Sequence, residues 1–259
     1  MTPAYGVLRE VHPVVSVLLQ ENPGPMTLQG TNTWVLRAPG ERECVIVDPG
    51  EEADDAHLER ITAHGPVARI LITHRHRDHA GSARTLAALT GAPVHALDPT
   101  VGSETLRGGE VVAAAGLEFH VVETPGHTTD STSFLVHGAD GPPPLLAGDM
   151  ILGHGTTVIA HPDGALAPYL SSLDWYADLP PATLCLTGHG PELPDAAEIA
   201  RHYRTHRHQR LEQVREALRT LPEGATPRQV VETVYADVDQ TLWDAAELSV
   251  KAQLDYIRG

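Results

Sequence analysis

A chain of 259 residues with 41% hydrophobic and 20% charged side chains can bury an ordinary core, either as one large domain or as a core with a small appendage. Its net charge of −16 opposes nonspecific attraction to polyanions, and no apolar run approaches the roughly eighteen residues of a membrane span. Cys44 and Cys185 sit in the apolar runs ECVIVD and TLCLTG, so they read as small buried hydrophobes more than as a disulfide framework or a thiolate zinc site.

The opening MTPAYGVLREVHPVV lacks a basic segment followed by an apolar run, so a cytoplasmic location is expected. NTWVLRA and ECVIVDPG then predict paired strands. DDAHLERITAHG predicts a helix, ARILIT a strand, AGSARTLAALTG a helix ended by Gly91, and PVHAL a strand. LEFHVVETPGH, DSTSFLVHG and PPLLAGDM follow as strands, GALAPYLSSLDWYADL as a helix and ATLCLTGHG as a strand. Strands interspersed with helices indicate an α/β layered core.

The tail is different. Residues 196–219 carry a helical stripe at Ile199, Tyr203, Leu211, Val214 and Leu218. Thr226 caps a helix starting at Pro227 with Val230, Val231 and Val234 inside, and a last helix aligns Trp243, Ala246, Val250, Leu254 and Ile257. Residues 1–200 hold nine basic against twenty-five acidic side chains, whereas residues 201–259 hold nine of each. The shift places a boundary near Pro194, dividing a larger domain of residues 1–195 from a small helical domain of residues 196–259.

THRHRDH, residues 73–79, crowds His74, His76, Asp78 and His79 onto a strand-to-helix turn. Residues two apart on a helix face away from each other, but a turn can converge them. Neutral imidazole and carboxylate are the usual N and O donors to zinc and similar cations. Further donors stand at other strand ends: His127 in ETPGHTTD, Asp149 in LLAGDM and His189 in LCLTGHG. Each alone could be structural, but four polar turns at strand ends together point to a metal site.

The set THRHRDH, TPGHT, AGD and TGHG, preceded by VDPG, resembles the metallo-β-lactamase superfamily. The resemblance implies an αββα sandwich with two divalent metals at one edge, zinc first, with manganese or iron as alternatives. His74, His76 and His127 would bind the first metal, Asp78, His79 and His189 the second, and Asp149 would bridge them. Asp48 would brace the metal loop without being a ligand. A metal-bound hydroxide would be the nucleophile, with Asp78 orienting the water and taking its proton. Antibiotic-hydrolysing members often use a cysteine where this chain has Asp149, so β-lactam hydrolysis is not expected.

NPGPMTLQGTNTWVL and ILGHGTTV resemble the lactamase-β-like subgroup, whose animal mitochondrial member is an endoribonuclease acting on single-stranded RNA, and the tail resembles the winged-helix-like domain attached to it. No wing is evident after the last helix. The substrate implied by the subgroup is single-stranded RNA. The alternative is a small-molecule ester or thioester, as for glyoxalase-II-like hydrolases, and a third possibility is a redox or structural metal protein. Met26, Thr27 and His154 are expected to border the substrate groove. Arg207 falls on the inward stripe of the tail helix and should need an acidic partner, whereas Arg201, Arg204 and Arg215 face outward, free to meet phosphate. His12, His57, His64, His95, His120 and His137 are expected to be solvent-facing or satisfied in the core.

Overall fold

The computed structural model describes residues 4–259, and its core is two β-sheets packed face to face. The first sheet runs in chain order: β1 (Leu8–His12), β2 (Val15–Leu19), β3 (Asn32–Leu36), β4 (Cys44–Val47), β5 (Val67–Leu71), β6 (Val94–Ala96) and β7 (Glu104–Thr105). Helix α1 (Asp55–Thr62) joins β4 to its parallel neighbour β5; the short α2 (Arg77–Ala80) and α3 (Ala83–Thr90) lead to β6. The second sheet is ordered β12-β11-β10-β9-β8, built from β8 (Val111–Ala114), β9 (Leu117–Glu123), β10 (Thr132–His137), β11 (Leu145–Gly148) and β12 (Cys185–Thr187). Helix α4 (Leu166–Ala177) precedes β12, and α5 (Ala196–Thr220), α6 (Pro227–Val234) and α7 (Trp243–Arg258) follow it.

Strand alternation explains the layers. In β4, Val45 and Val47 point between the sheets, where they meet Phe119, Val121, Phe134 and Leu186, while Cys44 and Ile46 point outward onto Leu58, Ile61 and Leu86 of α1 and α3. In β11, Leu146 faces the inter-sheet core, and Leu145 and Ala147 face Tyr169, Leu173 and Tyr176 of α4. Both faces of each sheet are therefore covered by apolar side chains, which gives the αββα sandwich. Cys44 and Cys185 are buried and unpaired.

The β1–β2 hairpin, together with β7 and β8, is an addition to the expected elements. Gly91 ends α3 with φ of 76°, and Thr226 forms a capping box with Gln229 at the start of α6. Helix α5 is shared between layers: Ala200, Tyr203 and Leu211 pack on α4, and Val214 packs with Val230, Val231, Val250 and Leu254. No strand occurs in residues 196–259, and no described helix is long and apolar enough to cross a membrane.

Candidate metal centre

Asp48 follows β4, the segment Thr73–Asp78 follows β5, His127 lies just beyond β9, Asp149 follows β11, and His189 follows β12. β4 and β5 are parallel, and β9, β11 and β12 share a direction, so in each sheet these C-terminal ends open at the same rim. Past a strand end the ladder no longer dictates which way side chains point, and the rim can aim them at one place.

The structure brings all seven expected donor residues together. His76 Nδ1 lies 3.0 Å from His74 Nε2 and 3.1 Å from His127 Nε2. In a second cluster, His189 Nε2 lies 3.1 Å from Asp78 Oδ2 and 3.2 Å from His79 Nε2. Asp149 stands between: its Oδ1 is 3.4 Å from His79 Nε2, and its Oδ2 is 3.4 Å from His189 Nε2 and 3.9 Å from His127 Nε2. His74–His76–His127, His74–His79–Asp149 and Asp78–His79–His189 each offer donor atoms near enough together to hold a cation.

Hydrogen bonds at the far side of each ring decide which nitrogen is free. A carbonyl or carboxylate oxygen only accepts, so Nδ1 of His127 donates to Val158 O (2.6 Å), Nδ1 of His189 to Gly30 O (3.1 Å) and Nδ1 of His79 to Asp48 Oδ2 (2.9 Å). Thr73 Oγ1 donates its one proton to Asp48 Oδ2 (2.7 Å) and therefore accepts from His74 Nδ1 (3.1 Å). Four rings thus turn Nε2 inward with a lone pair. Tetrahedral ligands about 2.0–2.1 Å from zinc lie roughly 3.3 Å apart, close to the separations here. Lone pairs facing one another repel unless a cation or proton lies between them, and the buried Asp149 Oδ1 has no hydrogen-bond partner. The donor set fits two divalent cations.

Burial, then the neighbouring His79, drives the His74 imidazole well below its ordinary value, and burial takes His127 down to about 4. The second cluster behaves oppositely. Burial alone would lower His79 and His189, but Asp78 and Asp149 hold His79 well above its ordinary value, and Asp149 foremost brings His189 up to about 9. Burial opposes ionisation of Asp78, yet His79 and His189 hold it at about 2. Without a cation, the carboxylates here draw protons onto the imidazoles; a bound cation takes the place of those protons.

Asp48 has φ of 54° and accepts from Thr73 N (2.8 Å) as well as from Thr73 Oγ1 and His79. These bonds tie the turn to β4. Further supports lay outside the expected set. Arg75 pairs with Asp98, Asp130 and Asp163, and Asp130 Oδ2 also accepts from Arg75 N at 2.8 Å. Gly188 leaves room for the centre, because a Cβ there would fall 2.2 Å from Asp149 Oδ1. Arg75 and Gly188 were in plain view inside THRHRDH and TGHG; their roles depend on partners far away in sequence.

A cavity of about 310 Å³ adjoins the centre, reached by His127 and Asp149 from the sandwich and by Tyr235, Leu242 and Ala246 from the tail. Met26 and His154 line it. Thr27 does not: its Oγ1 turns back to donate to Asn22 O (2.6 Å) within its own loop. The tail also fixes the loop beyond Asp149. Tyr203 Oη donates to Gly155 O (3.0 Å), and Arg207 donates to Thr157 O, one residue before the carbonyl that orients His127.

Two expectations about the tail arginines are corrected. Arg207 is buried, but among the described residues no carboxylate meets it; the Thr157 carbonyl and the face of Tyr169, 4.9 Å from its Cζ, take that place. The outward arginines are engaged: Arg204 with Asp174, Arg215 with Glu212, and Arg201 with Ala177 O. Side chains of these lengths find partners that helical spacing alone does not reveal. His57 is buried, with Nε2 2.9 Å from Thr33 Oγ1 and Nδ1 left without a partner.

Residues 26–103 match the Metallo-beta-lactamase superfamily, and residues 226–255 match the Beta-lactamase associated winged helix domain. A beta-lactamase-like protein 2 homolog of Drosophila melanogaster is 31% identical over 91% of this chain and 85% of its own length. An atrochrysone carboxyl ACP thioesterase of Passalora fulva is 32% identical over 66% of this chain and 52% of its own. The crystal structure of a beta-lactamase domain protein from Burkholderia ambifaria matches 100% of this chain and 89% of that one, with a TM-score of 0.83 and 26% identity.

Proposed function

The chain belongs to the metallo-β-lactamase superfamily and is a metal-dependent hydrolase, and we propose that it hydrolyses small acyl thioesters at a two-cation centre. The cavity carries this reading: about 310 Å³ beside the clustered donors suits a small acyl group, and Leu28, Leu152, Val238 and Leu242 give it apolar walls. The thioesterase name of the Passalora fulva relative supports the same chemistry. RNA is disfavoured as substrate because Arg201, Arg204 and Arg215 are already bonded and the chain carries −16.

In this reading His74, His76 and His127 hold one cation, Asp78, His79 and His189 hold the other, and Asp149 serves both. Zinc is the proposed metal, since mixed imidazole and carboxylate donors suit it, with manganese or iron as alternatives. Two cations there would polarise the thioester carbonyl and lower the pKa of water. Asp78, beside the second cation, would orient a water by accepting its hydrogen bond and take its proton. The Gly30 and Val158 carbonyls keep His189 and His127 aimed inward. A thiolate leaving group, of pKa about 8.5, departs without a strong acid, so no further proton donor is required. Residues 1–195 act as the catalytic unit, and residues 196–259 wall the cleft.

A panel of N-acetylcysteamine thioesters, a lactone and single-stranded RNA, offered to zinc-reconstituted enzyme, tests the reading. Thioester turnover without RNA cleavage is expected. RNA cleavage without thioester turnover would overturn it.

A further inference from the structure

The cavity wall supplied by α5 is cationic in an otherwise acidic protein. Arg207 and Arg210 lie three residues apart, on one side of the helix, and both line the cavity that His127 and Asp149 also reach. Arg207 is 3% exposed, and its Nε has no hydrogen-bond partner. Arg210 donates to Val234 O at 2.8 Å and lies 4.4 Å from the centre of the Tyr235 ring. Among the described residues neither guanidinium forms an ion pair. His206 beside them has a buried Nδ1 without a partner, and burial foremost, then the two arginines, takes it down to about 4, so it is neutral.

A guanidinium withdrawn from water normally meets a carboxylate; here a carbonyl and an aromatic face satisfy only part of Arg207. The planar fork of arginine matches a carboxylate or a phosphate. We propose that Arg207 and Arg210 form an oxyanion subsite, receiving a carboxylate or phosphate of the substrate while its apolar body lies against Met26, Leu28 and Val238. This rests on the thioester assignment and narrows it to thioesters that carry an anionic group apart from the scissile carbonyl. The net charge of −16 would repel such a substrate over most of the surface. The two arginines supply the local exception.

The test compares zinc-loaded enzyme on glutaryl and pentanoyl thioesters of N-acetylcysteamine, which match in chain length and differ in the terminal carboxylate. The wild type should favour the glutaryl thioester at least tenfold in kcat/KM, chiefly through KM, and Arg210→Gln should reduce that ratio at least tenfold. A ratio near one, or a ratio unchanged by Arg210→Gln, would overturn the subsite and leave the thioester assignment standing. If neither thioester is hydrolysed, that assignment fails, and calorimetry with glutarate and with inorganic phosphate decides the subsite separately. Binding weakened at least tenfold by Arg210→Gln sustains it, the tighter of the two anions identifying carboxylate or phosphate; equal binding by both proteins refutes it. Arg207→Lys, which keeps the charge and loses the fork, should weaken binding in the same direction.

Discussion

Asp48 Oδ2 accepts from His79 Nδ1 at 2.9 Å, and this bond makes Nε2 the nitrogen that His79 offers to the centre. Thr73 uses the same carboxylate twice, so one side chain fixes both the tautomer of a donor and the path of the loop that carries the others. Asp48→Asn removes one acceptor and leaves at least one of three buried donors unsatisfied. Zinc affinity should fall by about 10–100-fold, with the cation beside His79 leaving first. Competition with a chromophoric chelator measures this, and an unchanged affinity would contradict the role.

The two clusters should titrate apart. His189 is raised to about 9, so below that pH a cation entering the second cluster displaces a proton, and its affinity falls as pH drops. His127 is lowered to about 4, so the first cluster stays deprotonated and keeps its cation until the pH approaches 4. At fixed free zinc, lowering the pH from 9 should remove one equivalent well before the other, at roughly tenfold affinity per pH unit for each displaced proton. Joint release of both cations near pH 4 would be the contrary result.

Gly188→Ala should empty part of the centre without unfolding the chain. The added methyl would meet Asp149 Oδ1 at 2.2 Å and His79 Cε1 at 2.6 Å, forcing those side chains aside. A stability loss of about 1–3 kcal/mol is expected, together with loss of one zinc and most of the activity. Gly155→Ala is the control: nothing lies within 4 Å of its Cβ, so it should retain both zinc ions despite a strained φ of 74°.

The outer arginines should matter little. Changing Arg201, Arg204 and Arg215 to glutamate breaks exposed bonds worth about 0–1 kcal/mol per ion pair, and thioester turnover should stay within about twofold. A tenfold loss confined to RNA cleavage would return RNA to the centre of the proposal.

Much of the rim was legible because strand ends and turns are local features. ARILIT running into THRHRDH, and TLCLTG running into His189, mark both the element and its end. The β1–β2 hairpin was not, since VLREVHPVVSVLL lacks strict alternation and its pairing partner, β3, decides its fate. Arg207 was placed inward correctly, yet its partner is a carbonyl fifty residues away, which no helical stripe encodes. Thr27 sits in a loop whose own hydrogen bonds, not its sequence, turn it from the groove. Gly188 stands in TGHG, but its contribution is the space it leaves beside Asp149 and His79, which only the folded chain defines.

Anomalous diffraction from zinc-loaded crystals tests the central claim most directly. Two peaks are expected, one about 2.0–2.2 Å from His74 Nε2, His76 Nδ1 and His127 Nε2, the other at the same distance from Asp78, His79 and His189, with Asp149 between them. No peak at this rim, or a single peak with Asp78 and His189 left uncoordinated at saturating zinc and pH 9, would contradict it.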